Sequence, residues 1–353
     1  MPFTFSLHPD FRLNGIPHTV ESLSVLANEL MIAKYSYEKE LGTFIKDWLS
    51  SKDSIILSTS GSTGKPKTIN ASKRMLCASA QATINVCELL PTECALLCLP
   101  IKFIAGKMML IRAFIAGLWI DVNKPTSFPL KADKYYDFTA LTPHQLSNSL
   151  VDIHKVKQIL VGGAPVNDQI RNSVKGHTTK VLVTYGMTET YSHVALQNIS
   201  ESEDCFSALN GIRFSDDDDT LVIHASYIGI DKLKTNDCVE LLSSTKFKWK
   251  GRKDNVVNSG GIKLHPEQIE KRLASIIDVP FFVFSKKDQA LGSVLAIVFE
   301  GEISTDILER IKKSKILTKY EKPKEYFVVS NFVYSNEKII REQTILKIKP
   351  IFS

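Results

Sequence analysis

The sequence predicts an α/β fold, with a large N-terminal domain of mostly parallel, covered sheets plus a β-rich part, and a small C-terminal α+β domain. Three observations predict it. From about residue 53, short continuously apolar runs alternate with stretches at helical spacing. Strands apolar on both faces belong to parallel sheets covered by helices on both sides. From about residue 192 the pattern turns to strands and turns. Beyond the polar joint Gly251-Arg252-Lys253-Asp254-Asn255, about 100 residues carry their own helix and strand pattern, the usual size of a small domain. The expected division is therefore 1–252 and 253–353.

In chain order, Phe3, Phe5 and Leu7 alternate like an edge strand, and Phe11-Arg12-Leu13-Asn14-Gly15 reads as a strand end and a turn. Val25, Leu26 and Leu30 sit at helical spacing, as do Leu41, Phe44, Ile45, Trp48 and Leu49. Residues 54–57 open the alternation as a strand, followed by a helix over 73–90 and a strand over 94–99. A helix over 106–118 and a strand over 119–122 come next. Strands over 138–141, 158–161 and 180–183 each end in a polar cluster, and Asn167 suits a helix cap. Asp216-Asp217-Asp218-Asp219 lies between two apolar runs and reads as a solvated hairpin turn rather than a metal site. Past the joint, Pro266 starts a helix with Ile269, Leu273, Ile276 and Ile277 on one face, and strands are expected over 281–284, 294–299 and 326–329.

The bulk properties exclude several classes. The 353 residues are 44% hydrophobic and 23% charged, an ordinary globular composition. The net charge of +6 (Lys+Arg 44 against Asp+Glu 38) is mild, and no basic stripe with interleaved aromatics marks a nucleic-acid binder. Six cysteines form neither a CxxC pair nor a zinc-spaced cluster; Cys94 and Cys98, in an apolar run, read as core residues, and free thiols suit a reducing compartment. The start, Met1-Pro2-Phe3-Thr4, has no signal-peptide pattern. The longest apolar segment, 108–120, is broken by Arg112 and too short to span a bilayer. A cytoplasmic protein without membrane insertion is expected.

The chemistry gathers at strand ends, where open α/β sheets bind ligands. After Ile55-Ile56-Leu57 comes Ser58-Thr59-Ser60-Gly61-Ser62-Thr63-Gly64-Lys65-Pro66-Lys67. Hydroxyls and bare glycine backbone can wrap a polyphosphate, and the lysines can neutralise it. This is not a Walker A loop: only two residues separate Gly61 from Gly64, and Pro66 biases Lys65 away from helix. Glu189 can hold Mg²⁺, which favours one or two carboxylates plus phosphate oxygens, and Thr188 can donate to an α-phosphate. Gly162-Gly163-Ala164 permits close approach of a purine, on which Tyr185 can stack. Asp237 can accept from ribose hydroxyls, with Arg252 beside it. Each residue also has a plainer reading: glycines make turns, Asp237 suits a turn and Tyr185 a core.

Residues 58–67, Tyr185-Gly186-Met187-Thr188-Glu189-Thr190, Thr235-Asn236-Asp237 and Gly251-Arg252-Lys253-Asp254, in this order, resemble the core motifs of the acyl-adenylate-forming superfamily. The resemblance covers the chain from about residue 54 to the end. Tyr334-Ser335-Asn336-Glu337-Lys338-Ile339-Ile340-Arg341 is similar to the family's C-terminal segment and assigns its catalytic lysine to Lys338, with Glu337 where a glycine is usual. The resemblance implies ATP, Mg²⁺ and CoA: a carboxylate attacks the α-phosphate to give acyl-AMP and pyrophosphate, and the CoA thiol then displaces AMP. By the same match, Thr59, Ser60, Gly61, Ser62, Thr63, Gly64, Lys67, Gly162, Gly163, Ala164, Tyr185, Gly186, Met187, Asp237 and Arg252 would bind ATP or AMP, and Lys338, Thr188 and Glu189 would serve catalysis. The small domain would be mobile, turning about a hinge at Asp254 and bringing Ser259-Gly260-Gly261 to a pantetheine channel.

The chain carries less sequence ahead of the phosphate loop than is usual in the superfamily. With Leu99-Pro100-Ile101-Lys102-Phe103-Ile104-Ala105-Gly106-Lys107 and Ser192-His193-Val194-Ala195-Leu196, it resembles the subgroup acting on o-succinylbenzoate in menaquinone biosynthesis. Phe103 stands where many relatives have a histidine. Lys107, His144 and His193 are candidates for contacting a dicarboxylate, and Lys107 equally suits a surface position at a helix start. The alternatives are a ligase for another aryl or short acyl acid, an adenylating enzyme loading a carrier protein, or a nucleotide-binding module without ligase activity. Partners are expected to be small molecules, and the protein a monomer or homodimer.

Overall fold

The computed structural model describes residues 3, 5–58, 68–130, 133–335 and 338–351, with backbone alone at 58, 335 and 338. The chain forms two compact units, Met1–Arg213 with Ile223–Lys232, and Phe214–Val222 with Leu233–Ser353.

In the first unit, β1 (Arg12–Leu13) and β2 (Ile16–Pro17) form a small hairpin, with Asn14 and Gly15 both left-handed at its turn. Residues 5–8 form no strand; the Phe3 and Phe5 rings instead pack edge-on to Trp48. Helix α1 (Val20–Met31) buries Leu23 and Ala27, and the expected Val25 is 59% exposed, so its inner face is rotated from the one the spacing suggests. Helix α2 (Ser36–Leu49) buries Leu41, Phe44, Ile45 and Trp48, as its i, i+3, i+4 and i+7 pattern requires.

Strand β3 (Ser54–Ser58) does not join the parallel sheet. It pairs antiparallel with β4 (Thr68–Ser72), Ser58 opposite Thr68, in a two-stranded ribbon. Residues 54–58 are therefore one arm of an antiparallel ribbon and not a strand of the parallel sheet.

Then follow α3 (Lys73–Cys87), β5 (Cys94–Leu97), α4 (Ile104–Ala116), β6 (Trp119–Val122), β7 (Tyr136–Leu141), α5 (Pro143–Asn148), β8 (Val156–Val161), α6 (Asp168–Ser173), β9 (Lys180–Gly186), β10 (His193–Asn198) and β11 (Phe206–Ala208). Sheet order is β11-β10-β9-β8-β7-β5-β6-β1-β2. Strands β9 through β1 run parallel, while β10, β11 and β2 are antiparallel additions at the edges. One face packs Leu96, Tyr136, Leu141, Ile159 and Val181 against Leu146 and Ile170 of α5 and α6. Helix α4 touches β5, β6 and β7 and packs against α3. It is buried almost all round, from Met108 to Phe114, which explains a composition that is apolar on every face.

The second unit holds most of β12 (Arg213–Asp217) and the first half of β13 (Thr220–Ala225), most of β14 (Ile230–Ser243), and β15 (Lys246–Arg252). Asp218 and Asp219 take left-handed conformations at the β12–β13 turn, so the acidic run is a hairpin turn, and Lys253 and Lys263 pair with the two carboxylates. After β16 (Val257–Ser259), β17 (Ile262–Leu264) and α7 (Pro266–Leu273) come β18 (Phe281–Asp288), β19 (Gly292–Glu300), α8 (Thr305–Lys313), β20 (Glu325–Val329), β21 (Tyr334–Ser335), β22 (Lys338–Ile339), α9 (Arg341–Ile345) and β23 (Lys349–Pro350). A four-stranded sheet, β18-β19-β20-β23, is its centre. Alternate residues serve opposite faces: Val283, Ile297 and Phe299 meet α7 and α8, while Phe282, Phe284, Val298 and Phe327 meet Phe332, Ile339 and Ile345.

Candidate active site

The parallel register of the first unit brings its polar strand ends together. Leu141 is opposite Val161, and Val161 opposite Val183, so residues 142, 162 and 184 stand at one level, where β7 and β8 end and β9 runs on to Gly186 beside β10. At the first, Thr142 and Gln145 form a reciprocal cap, and Gln145 Nε2 also donates to the Cys98 and Thr126 carbonyls. At the second, the Gly162 N–H donates to Leu141 O at 3.2 Å, and a Cβ there would lie 2.3 Å from Thr184 Oγ1. Gly163 is left-handed and exposed, and Ala164 is half-buried. This glycine pair thus has a packing cause at 162 and a conformational one at 163.

At the third strand end, Tyr185 is half-buried with its ring 5.7 Å from that of Phe206. Gly186 and Met187 lead into a single 3₁₀ turn, Thr188–Thr190. Thr190 is buried and stitches the turn: its hydroxyl accepts from the Met187 N–H and lies 2.7 Å from Ser192 O. That leaves Thr188 half-buried and the Glu189 carboxylate exposed. An exposed carboxylate on a braced turn suits Mg²⁺, which keeps several waters and takes few protein ligands.

Beneath this turn lies a group that the sequence reading used only to exclude a membrane span. Arg112 of α4 is 2% exposed. Its Nη2 donates to Ser192 Oγ at 2.8 Å, and Ser192 Oγ is 3.3 Å from His193 Nδ1. His193 Nε2 is 3.2 Å from Thr83 Oγ1. Burial, and then the Arg112 charge, hold His193 well below the usual imidazole range, so it is neutral. Burial pushes Arg112 down to about 10, which still leaves it charged at neutral pH. Among the described residues no carboxylate forms an ion pair with Arg112, and its Nε has no hydrogen-bond partner. A buried charge without a counter-charge is costly unless a ligand supplies one. The signal in the sequence was Arg112 standing as the one charge within the apolar segment 108–120.

Of the acyl-site candidates, His193 belongs to this cluster. Lys107 Nζ donates to Ile101 O at 2.7 Å and to Lys102 O at 3.4 Å, closing the turn before α4. His144 is exposed on α5, 3.2 Å from Asn148 Nδ2. Among the described residues no hydrogen bond links either of them to Arg112, Ser192 or His193.

In the second unit, Asp237 of β14 stands opposite Arg252 of β15. Asp237 is 6% exposed; its Oδ1 accepts from Trp249 Nε1 at 3.1 Å, with Arg252 Nη1 at 3.7 Å. Asp254 accepts from Asn236 Nδ2 at 2.7 Å and lies 3.7 Å from Arg252 Nη2. Ser259, Gly260 and Gly261 form the exposed end of the β16–β17 hairpin, both glycines left-handed. Lys338 begins β22, its backbone opposite Ser335. The phosphate-loop residues Thr59, Ser60, Gly61, Ser62, Thr63, Gly64 and Lys67 lie outside the described residues.

A 2-succinylbenzoate–CoA ligase of Listeria monocytogenes is 26% identical over 321 residues, covering 81% of this chain and 68% of that protein. The crystal structure of an acyl-CoA synthetase (AMP-forming)/AMP-acid ligase II-like protein from Dyadobacter fermentans matches 92% of this chain and 98% of its own, at 33% identity and a TM-score of 0.61. The o-succinylbenzoate coenzyme A synthetase of Bacillus subtilis, solved with ATP and magnesium ion, shares the fold at 19% identity and a TM-score of 0.73, over 94% of this chain and 83% of that one. The family described as AMP-binding enzyme matches residues 15–213. The chain belongs to the AMP-binding enzyme family.

Proposed function

We propose that the acid activated by this AMP-forming acyl-CoA synthetase is 2-succinylbenzoate, converted through acyl-AMP to its CoA thioester. The observation that carries the choice of acid is Arg112. A dicarboxylate presents one carboxylate to ATP and needs a second charge partner elsewhere, and Arg112, beside Ser192 and neutral His193 and without an ion-pair partner among the described residues, has a spare donor in its Nε. The relatives named for that acid support the same reading.

In this reading residues 59–64 and Lys67 hold the leaving pyrophosphate, and Gly162, Gly163, Ala164, Tyr185, Gly186 and Met187 receive the adenine. Asp237, steadied by Trp249 and Arg252, takes the ribose hydroxyls. Glu189 would hold Mg²⁺, which would supply charge neutralisation at the phosphates. Thr188 donates at the α-phosphate, and Lys338 stabilises the charge that develops there. The two half-reactions need different surroundings, which a turn of the C-terminal part about Asp254 supplies, with Ser259, Gly260 and Gly261 leaving room for the pantetheine arm. Acid-dependent ATP–pyrophosphate exchange tests the proposal. Exchange should be strongest with 2-succinylbenzoate. Exchange with benzoate but not with 2-succinylbenzoate would refute the choice of acid, and none with any acid would favour a nucleotide-binding module.

A further inference from the structure

We infer that Glu270 is a positioning residue for the hairpin that carries Lys338, acting through Arg341; this rests on the reading of Lys338 proposed above. The hairpin cannot place itself. Its strands are two residues each, pairing Tyr334 with Ile339 and Ser335 with Lys338, and so short a ribbon has no independent stability. Two local bonds close it on itself: Ile340 N–H donates to Val333 O at 2.7 Å, and Val333 N–H to the hydroxyl of buried Thr344 at 3.0 Å.

Its first strand is held by Glu300 of β19, whose carboxylate accepts from the Phe332 N–H at 2.6 Å and from the Tyr334 hydroxyl at 3.4 Å. On the Lys338 side, Ile339 packs on the cluster of Phe282, Phe284 and Val298, a contact that tolerates sliding. The directional attachment on that side is Arg341, three residues past Lys338. Arg341 Nη1 donates to Val283 O at 2.9 Å and Nη2 to Glu270 Oε2 at 2.8 Å. Glu270 Oε1 in turn accepts from the Val283 N–H at 2.7 Å. One carboxylate on α7 thereby joins the start of β18 to the start of α9, in a closed ring of charge-assisted bonds. The Arg341 guanidinium also lies 5.2 Å from the centre of the Phe282 ring. Burial raises the Glu270 carboxyl and Arg341 opposes that rise, so the pair depends on both partners.

Displacement of a reacting group by about 1 Å costs on the order of 100-fold in rate. Glu270→Gln keeps the shape of the side chain and removes its charge. It should lower acid-dependent ATP–pyrophosphate exchange by about 10- to 100-fold, while thioester formation from supplied acyl-AMP changes less than about twofold. Glu270→Asp should fall between the variant and the wild type. In a Lys338→Ala background, Glu270→Gln should leave the residual exchange unchanged, because the group it positions is gone. If Glu270→Gln fails to fold, Arg341→Lys is read in the same way. Equal losses in both half-reactions, or the same loss in the Lys338→Ala background, would show a purely structural role and overturn the inference. If Lys338→Ala alone leaves exchange intact, the reading of Lys338 falls and this inference with it.

Discussion

Replacing Arg112 by methionine should weaken use of 2-succinylbenzoate without weakening the fold. The two effects have opposite signs because the charge is buried and, among the described residues, has no ion-pair partner. Its Nη2 donates to Ser192, which keeps His193 as a neighbour when the guanidinium is lost. Exchanging a buried charge that has no ion-pair partner for an apolar side chain of similar volume removes a desolvation cost. Removing one partner of a buried charge pair costs about 2–5 kcal/mol in binding, and with about 1.4 kcal/mol per factor of ten the floor is roughly 30-fold. Steady-state kinetics with 2-succinylbenzoate should therefore show KM raised at least about 30-fold. Benzoate, which lacks the second carboxylate, should change by less than about threefold on the same reasoning. Thermal unfolding should show Tm unchanged or raised. A Tm several degrees lower, with both acids weakened alike, would mean that Arg112 is a structural residue and refute the argument.

Three further outcomes are expected. Gly162→Ala should destabilise the protein by about 1–3 kcal/mol in urea unfolding, because its Cβ would meet Thr184 Oγ1, and Thr184→Ala should recover part of the loss. His193 is neutral when folded and titrates near the ordinary value when unfolded, so the unfolded state binds the extra proton; its contribution is intact above about pH 6.5 and lost below it, by up to about 1.4 kcal/mol per pH unit. The stability difference between wild type and His193→Gln should accordingly shrink from pH 7 to 5.5. Asp237→Asn should raise KM for ATP by about tenfold or more, as expected for loss of hydrogen bonds to a charged group, while the acid KM stays within about twofold.

Much of this was legible in the chain. The apolar runs at 94–97, 138–141 and 158–161 are parallel strands, and polar clusters follow the last two of them. Asn167 caps α6 by accepting from the Ile170 N–H. The acidic run is a turn, and Cys98 is buried. Local signals of this kind repeat at two or 3.6 residues, so a window of the sequence contains them whole. The strand at 54–58 shows the limit: its composition suits a parallel sheet, but its partner, ten residues on, makes it a hairpin arm. Helix α1 shows another, since spacing gives a face but the neighbouring α2 selects which one is buried.

By itself the sequence determined the alternation of strands and helices, the polar strand ends and the motifs that name the family. The tertiary structure alone decided how buried charges are answered. Arg112 reads as a break in an apolar run until α4 meets Ser192, 80 residues away, and among the described residues no carboxylate pairs with it. Glu270 and Arg341, 71 residues apart, meet only where α7, β18 and α9 converge. Charge is written in the residue, but its cost and its use depend on partners and solvent exclusion, which only the packed chain supplies.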